Sequence, residues 1–265
     1  DAWARPEEFA AAPVVLEAGS EANDVIQGSL GDCWLISAFS ILAEHDDLMK
    51  QVLVTDERNE KGVVGVRLFK NGQWKLIVTD ETFPVKRNVF KYEGADKNLY
   101  RGDFRQHDMR GKKRLAAPAF CTSGTRNELW PMYLEKAYAR YFGSFSAIVG
   151  GLVHTALVDL TGQTGFCVDM RSEEAKTDIR SGALFKRILG YHDAGYLMGC
   201  GSNSGSDSNT SAQGIVQGHA YSILNVIEAS DQHGTHQLIR ARNPWGSSEW
   251  KGKFSDFDKP SWTKR

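Results

Sequence analysis

The stretch QGSLGDCWLISAFSIL, Gln27 to Leu42, constrains the fold more than any other part of the chain. A glycine-punctuated loop, Gly28-Ser29-Leu30-Gly31, runs into Asp32-Cys33-Trp34 and then into a run of apolar side chains. From Trp34 to Leu42 the run is apolar on nearly every side. A helix formed here has no face to give to water and must lie inside a core. Asp32 is an acceptable cap for that helix, which places Cys33 in its first turn. A thiol there faces unpaired backbone N–H groups and the positive end of the helix dipole, both of which favour thiolate. A cysteine beside large apolar residues is also an ordinary inert core residue. Cys33 alone leaves both readings open.

A chain of 265 residues can bury a substantial core as one large domain or two small ones. A net charge of −1 argues against a nucleic-acid partner held by bulk electrostatics. No apolar run reaches membrane-spanning length, and the N-terminus lacks the basic and apolar regions of a signal peptide. Cys33, Cys121, Cys167 and Cys200 are widely spaced and form no CxxC pair, which points to a reducing, cytoplasmic setting.

The buried helix is expected to run from Cys33 to the region of Lys50. Val63–Phe69 and Trp74–Val78 flank Asn71-Gly72, a strong hairpin signal, and Pro84 is expected to close the second strand. Lys86 to Arg126 has no clear period and reads as an insertion, whose basic cluster Arg110-Gly111-Lys112-Lys113-Arg114 reads as a solvated face. In NELWPMYLEKAYARYFG the residues Trp130, Leu134, Ala137, Tyr138 and Tyr141 form one apolar stripe, with Pro131 in the first turn and Gly143 at the end. A short helical piece follows Gly150-Gly151, and Thr161–Gly165 is the best hinge. Ala183 to Leu189 reads as helix and Tyr196 to Cys200 as a buried strand. Beyond the flexible loop Gly201–Gly214, strands are expected over Ile215–Ile227 and Gln237–Arg242.

The second part supplies a partner for Cys33. His219 lies between Gly218 and Ala220, where little bulk blocks an approach, and Asn243-Pro244-Trp245-Gly246 follows the last strand. Each alone is ordinary: a structural histidine, an asparagine opening a turn. Together, cysteine, histidine and asparagine in that order are what a papain-like thiol protease needs. The thiolate attacks the scissile carbonyl, the imidazolium protonates the leaving amine, and the asparagine amide orients the ring. Gln27, six residues before Cys33, is the obvious side-chain donor to an oxyanion hole, although a loop hydrogen bond could equally occupy it.

QGSLGDCW, GHAYS and RNPWG resemble the three core motifs of the calpains, intracellular calcium-activated cysteine endopeptidases. The likeness extends to Glu128-Leu129-Trp130, to Leu134–Ala139 and to Glu249-Trp250 with Gly252, and runs from Gly19 to Trp262. The 86–126 segment, longer than the family's usual link, is the main departure. The resemblance implies an α+β, papain-like fold in two subdomains with the active-site cleft between them. These are expected as a helix-rich 1–161 carrying Cys33 and a strand-rich 162–265 carrying His219 and Asn243. It also implies calcium as cofactor. The first site matches Asp24 and Glu128 with main-chain carbonyls near Glu17 and Gly19; the second matches Glu249 and Asp256. Trp245 is implied as a shield beside the triad that moves with the calcium switch. Substrates are expected to be proteins cut at flexible segments; flanking domains and inhibitors are not named by the sequence. Because the sequence ends at Arg265, soon after Asp256, the second subdomain is expected to be incomplete and its calcium site the weaker. Two rival readings share these residues: a calcium-responsive interaction module that has lost turnover, and a transacylating enzyme with the same triad.

Overall fold

The computed structural model describes residues 2–17, 19–89, 115–125, 127–232, 234–248 and 250–262. At its centre is α1 (Cys33–Leu42), in which every residue after Cys33 is buried. The expected long helix is two. After Leu42 the chain turns at Ala43–His45, and α2 (Asp46–Val52) starts afresh. Glu44 turns its carboxylate to the Ala22 N–H at 2.9 Å, and His45 is extended. Asp46 and Asp47 then favour a new helix N-terminus.

The hairpin forms as read. β3 (Val63–Lys70) and β4 (Gln73–Asp80) pair antiparallel around Asn71 and Gly72, both at positive φ, 54° and 75°. Pro84 does not close the second strand. β4 stops at Asp80, whose Oδ1 accepts the Thr82 N–H at 2.8 Å. Pro84 lies instead in β5 (Phe83–Val89), opposite Trp3 of β1 (Ala2–Ala4). Near the start of a strand its missing N–H is tolerated, and its carbonyl accepts Ala119 N–H at 2.9 Å. The segment read as an insertion holds regular structure at both ends. β5 reaches Val89, β6 (Leu115–Pro118) pairs with it, and β7 (Thr122–Ser123) pairs with β2 (Val25–Ile26). The basic cluster 110–114 lies outside the described residues.

Helix α3 (Trp130–Phe142) carries Pro131 in its first turn and ends at Gly143, φ 101°. It is buried beyond the expected stripe, from Trp130 through Ala139, because β3, β4, β7 and residues 145–148 pack around it. The Lys136 ammonium inside this packing is met by Asp80 Oδ1 at 2.8 Å and the Thr82 carbonyl at 2.6 Å. Helix α4 (Val153–Thr161) packs on α1 and is capped by Gly162, φ 70°.

Beyond Gly162 lie α5 (Glu173–Ser181), α6 (Ala183–Asp193) and an antiparallel sheet in the order β10-β9-β8. The strands are β8 (Met198–Gly201), β9 (Ala220–Asp231) and β10 (Gly234–Arg242). Strands β1–β7 and helices α1–α4 precede Gly162, and α5, α6 and β8–β10 follow it, so each part mixes helix and strand. Of the early strands, β3 and β4 form their local hairpin, whereas β1, β2 and β7 are short, β5 and β6 each hold a proline, and these five pair with distant partners. β9 and β8 pack on α1, and Ser222 Oγ on β9 donates to the Ser37 carbonyl at 2.9 Å.

Truncating Leu42, fully buried, to alanine should cost about 2–5 kcal/mol in urea denaturation. Leu76→Ala, at 57% exposure on the hairpin, should stay within about 0.5 kcal/mol. Equal losses would mean that α1 is not the centre of the core.

Candidate active site

Cys33 begins α1 and is half-buried. Asp32 does not cap the helix with its side chain. Its carbonyl accepts Leu35 N–H and Ile36 N–H at 2.8 and 3.1 Å, while its carboxyl is fully buried. The loop before it is pinned from outside. Ser29 Oγ donates to the Ala119 carbonyl at 2.6 Å, and a Cβ on Gly28 would lie 2.1 Å from the Phe120 oxygen. Trp34 Nε1 donates to the Ile148 carbonyl at 3.0 Å, and its ring fills the space a side chain at Gly151 would need.

His219 does not sit within a strand; it immediately precedes β9. Gly218, φ 56°, lies so close to Gly205 that a Cβ would fall 2.2 Å from its oxygen. Ser202 holds the His219 backbone on both sides, donating its N–H to the carbonyl at 2.9 Å and accepting the His219 N–H on Oγ at 3.0 Å. The ring's Nε2 lies 2.9 Å from Asn243 Oδ1, the same atom that accepts Trp245 N–H at 3.0 Å. A backbone N–H can only donate, so that atom is the amide oxygen and Nε2 carries the proton. Nδ1 is left with its lone pair, as a general base requires. Trp245 packs with its ring 4.7 Å from the imidazole, and Tyr221 meets it edge-on at 5.1 Å.

The thiol meets the backbone N–H of Ala220, the residue after His219, and not the imidazole. Burial raises the Cys33 thiol above the ordinary cysteine range, against the lowering influence of the Ala220 and Trp34 backbone N–H groups; Asp32 and Asp207 raise it further. The first-turn preference for thiolate is therefore outweighed. Burial likewise lowers His219, opposed by Asn243 and Asp207. Among the described residues no hydrogen bond links the Cys33 sulfur to the imidazole.

Gln27 makes the loop bond: Nε2 donates to the Leu30 carbonyl at 2.7 Å, leaving one amide N–H, and the backbone N–H reaches the Pro244 carbonyl at 2.8 Å. Asp207, in the loop before His219, is a neighbour of both Cys33 and His219 that the motifs did not flag. Arg242 was missed too. Its guanidinium donates to the Val25 carbonyl at 2.6 Å and Ser40 Oγ at 3.0 Å, with longer contacts to Asn23. Its place beside Asn243 was the available signal.

Asp24 and Glu128 come together. Asp24 accepts Glu21 N–H at 2.8 Å and Thr125 Oγ1 at 2.7 Å. Glu128 accepts Glu17 N–H at 3.1 Å and Ser123 Oγ at 2.7 Å. Glu128 is 1% exposed, and burial, with Asp24's charge adding to it, pushes its carboxyl up to about 7. Among the described residues no lysine or arginine pairs with either carboxylate. Two close carboxylates short of positive charge, each oxygen with a lone pair to spare, fit a hard cation such as calcium. No third acidic, histidine or cysteine side chain converges among the described residues, so a cation here would need carbonyl, hydroxyl or water oxygens to complete its shell. Asp256 is exposed, and Glu249 lies outside the described residues.

The profile described as calpain family cysteine protease matches residues 1–102 and 108–265. The chain belongs to the calpain family of cysteine proteases. It is 41% identical over 270 residues to the calpain-type cysteine protease DEK1 of Zea mays, covering 99% of this chain and 11% of that protein. Against calpain-8 of Homo sapiens it is 31% identical over 266 residues, covering 98% of this chain and 33% of the relative. The chain thus spans from about a tenth to a third of these relatives.

With the thiol raised and the imidazolium lowered, both groups are neutral at pH 7. In chelator, alkylation of Cys33 should therefore rise with pH to an inflection above the ordinary value of about 8.5. An inflection below about 6.5 would mean a preformed thiolate–imidazolium pair.

Proposed function

We propose that this chain is the proteolytic core of a calcium-dependent cysteine endopeptidase that cuts proteins at exposed, flexible segments. The observation that carries this reading is the Asn243–His219 hydrogen bond of 2.9 Å beside Ala220, whose N–H faces the Cys33 thiol. In this reading residues 1–161 form one subdomain and 162–265 a second, in a papain-like arrangement with the cleft between them. Unpaired Cys33, Cys121, Cys167 and Cys200 support action in a reducing, cytoplasmic compartment. No helix among the described residues is long and apolar enough to cross a membrane.

The chemistry follows from the tautomer. His219 Nδ1 takes the Cys33 proton as the sulfur attacks the scissile carbonyl carbon. The carbonyl electron pair moves onto oxygen, which the Cys33 backbone N–H and the remaining Gln27 amide N–H receive. Collapse expels the amine with the His219 proton and leaves a Cys33 thioester. Water, deprotonated by His219, then attacks the thioester, and the thiol leaves with that proton. Asn243 holds Nε2–H throughout, so Nδ1 always faces the reaction.

Asp24 and Glu128, with the Glu17 and Gly19 carbonyls, would hold calcium at a first site, and Glu249 with Asp256 would contribute to a second. Bound calcium supplies the positive charge that the Asp24–Glu128 pair lacks. Arg242 grips Asn23 and Val25, the neighbours of Asp24, and precedes Asn243 in the chain. A shift of the Glu21–Asp24 turn therefore reaches the orienting asparagine through one side chain.

Peptide hydrolysis should fall at least ~10³-fold in Cys33→Ala, with calcium binding by calorimetry retained. Asp24→Ala should lose the tightest binding event and the calcium response of hydrolysis. Undiminished hydrolysis by Cys33→Ala would sink the protease reading; equal rates in chelator and calcium would sink the calcium reading alone.

A further inference from the structure

A second pair of acids lies directly behind the nucleophile. Asp32 is 0% exposed and Glu135, on the second turn of α3, is 3% exposed. No N–H or O–H of the described residues meets either Asp32 side-chain oxygen at full hydrogen-bonding geometry, although its own backbone N–H lies near enough to favour the carboxylate. The Glu135 carboxyl does lie in hydrogen-bonding reach of Asp32. Glu135 itself is fixed, because Oε1 accepts the Cys121 N–H at 3.0 Å. Two carboxylates have no proton between them and repel. One carboxylic acid and one carboxylate make a short, charge-assisted bond.

We propose that Asp32 and Glu135 share one proton, and that the resulting acid–carboxylate hydrogen bond is the element that positions Cys33 at the head of α1. The doubly ionised alternative is costly, because two buried charges without a cation would each lose their hydration uncompensated and repel. The fully protonated pair belongs to more acid solution. The other titratable groups facing the pair are the Cys33 and Cys121 thiols, with Arg242 felt at Cys121 from β10. None of the described groups makes an ion pair with Asp32 or Glu135.

The bond ties three pieces together. Glu135 belongs to α3, Cys121 to the 119–123 segment that pins the Gln27–Gly31 loop, and Asp32 to the junction of that loop with α1. Asp32 is thus a positioning residue, held through Glu135 and not through a helix cap. The shared proton also limits the negative charge behind the thiol, where an ionised Asp32 works against thiolate.

Burial pushes both carboxyls upward, while unfolded acids ionise near about 4. The bond's stability is therefore complete in acid and declines as pH climbs through the pair's raised titration. Glu128 gives a slope of the same sign, so the difference between variants is the readout.

The test compares the parent with Glu135→Gln, which keeps a donor but cannot ionise, and Glu135→Ala, which supplies none. Difference infrared spectra at pH 7, parent minus Glu135→Gln, should show a protonated-carboxyl C=O band over the contribution that Glu128 makes to both. The melting temperature should fall more steeply from pH 6 to 9 in the parent than in Glu135→Gln. Alkylation of Cys33, read by peptide mass, should slow about tenfold in Glu135→Ala and recover in Glu135→Gln. Only this last arm rests on Cys33 as nucleophile; the first two stand even if the protease reading fails. An unchanged infrared band in Glu135→Gln, or parallel melting profiles, would overturn the shared proton. If Glu135→Ala does not fold, those two measurements on Glu135→Gln still decide it.

Discussion

A helix with no solvent face must be covered on all sides, and α1 is such a helix. The chain supplies that cover from both directions, with α3 and α4 from before Gly162 and β8 and β9 from after it. The few polar atoms on α1 then become attachment points. The Ser37 carbonyl takes the Ser222 hydroxyl, and Ser40 Oγ takes Arg242. Only Cys33, at the end of the helix, escapes full burial. The relation between Cys33 and His219 is therefore a packing relation. Ala220 lies against the thiol because β9 lies on α1, and His219 is the residue before Ala220.

The treatment of buried charge separates structural residues from functional ones. Glu81 is answered by Arg58 at 3.0 and 2.9 Å and by the Tyr133 hydroxyl at 2.6 Å. Lys136 finds Asp80 and two carbonyls, and Lys70 finds Asp159 at 2.5 Å under a cover of aromatic rings. Each of these is a closed arrangement in which opposite charges meet. Asp24–Glu128 and Asp32–Glu135 are different, because in both a carboxyl faces a carboxyl. Like charges so buried repel unless a proton or a cation lies between them. The Asp24–Glu128 pair is met by the Ser123 and Thr125 hydroxyls, while the Asp32–Glu135 pair is sealed in the core.

What the sequence made legible was local. Asn71-Gly72 announced its hairpin, Pro131 and Gly143 bracketed α3, and the apolar run after Cys33 announced a buried helix. Cys33, His219 and Asn243 stood out because each occurs beside small or turn-forming neighbours. The misreadings came from partners far along the chain. Asp32 looked like a cap because nothing nearby revealed Glu135. Glu44 looked like helix interior because its partner, the Ala22 N–H, lies on a distant turn. Strands β1, β5 and β6 are ordered by pairing across long separations, which no local period reports. Helix α5 was the avoidable loss: Ser172, two glutamates and Gly182 are a start and a stop in plain order.

The two acid pairs meet in one element. Glu128 lies just before α3, and Glu135 lies on its second turn, with buried residues between them. Trp130, Tyr133 and Leu134 lock that stretch into the core, so it moves as a unit or not at all. Positive charge at Asp24–Glu128 would sit at the root of the helix whose Glu135 faces Asp32, the neighbour of Cys33, and beside the turn that Arg242 grips next to Asn243. Under the proposed reading, calcium bound there would reach the thiol and the imidazole by two separate routes.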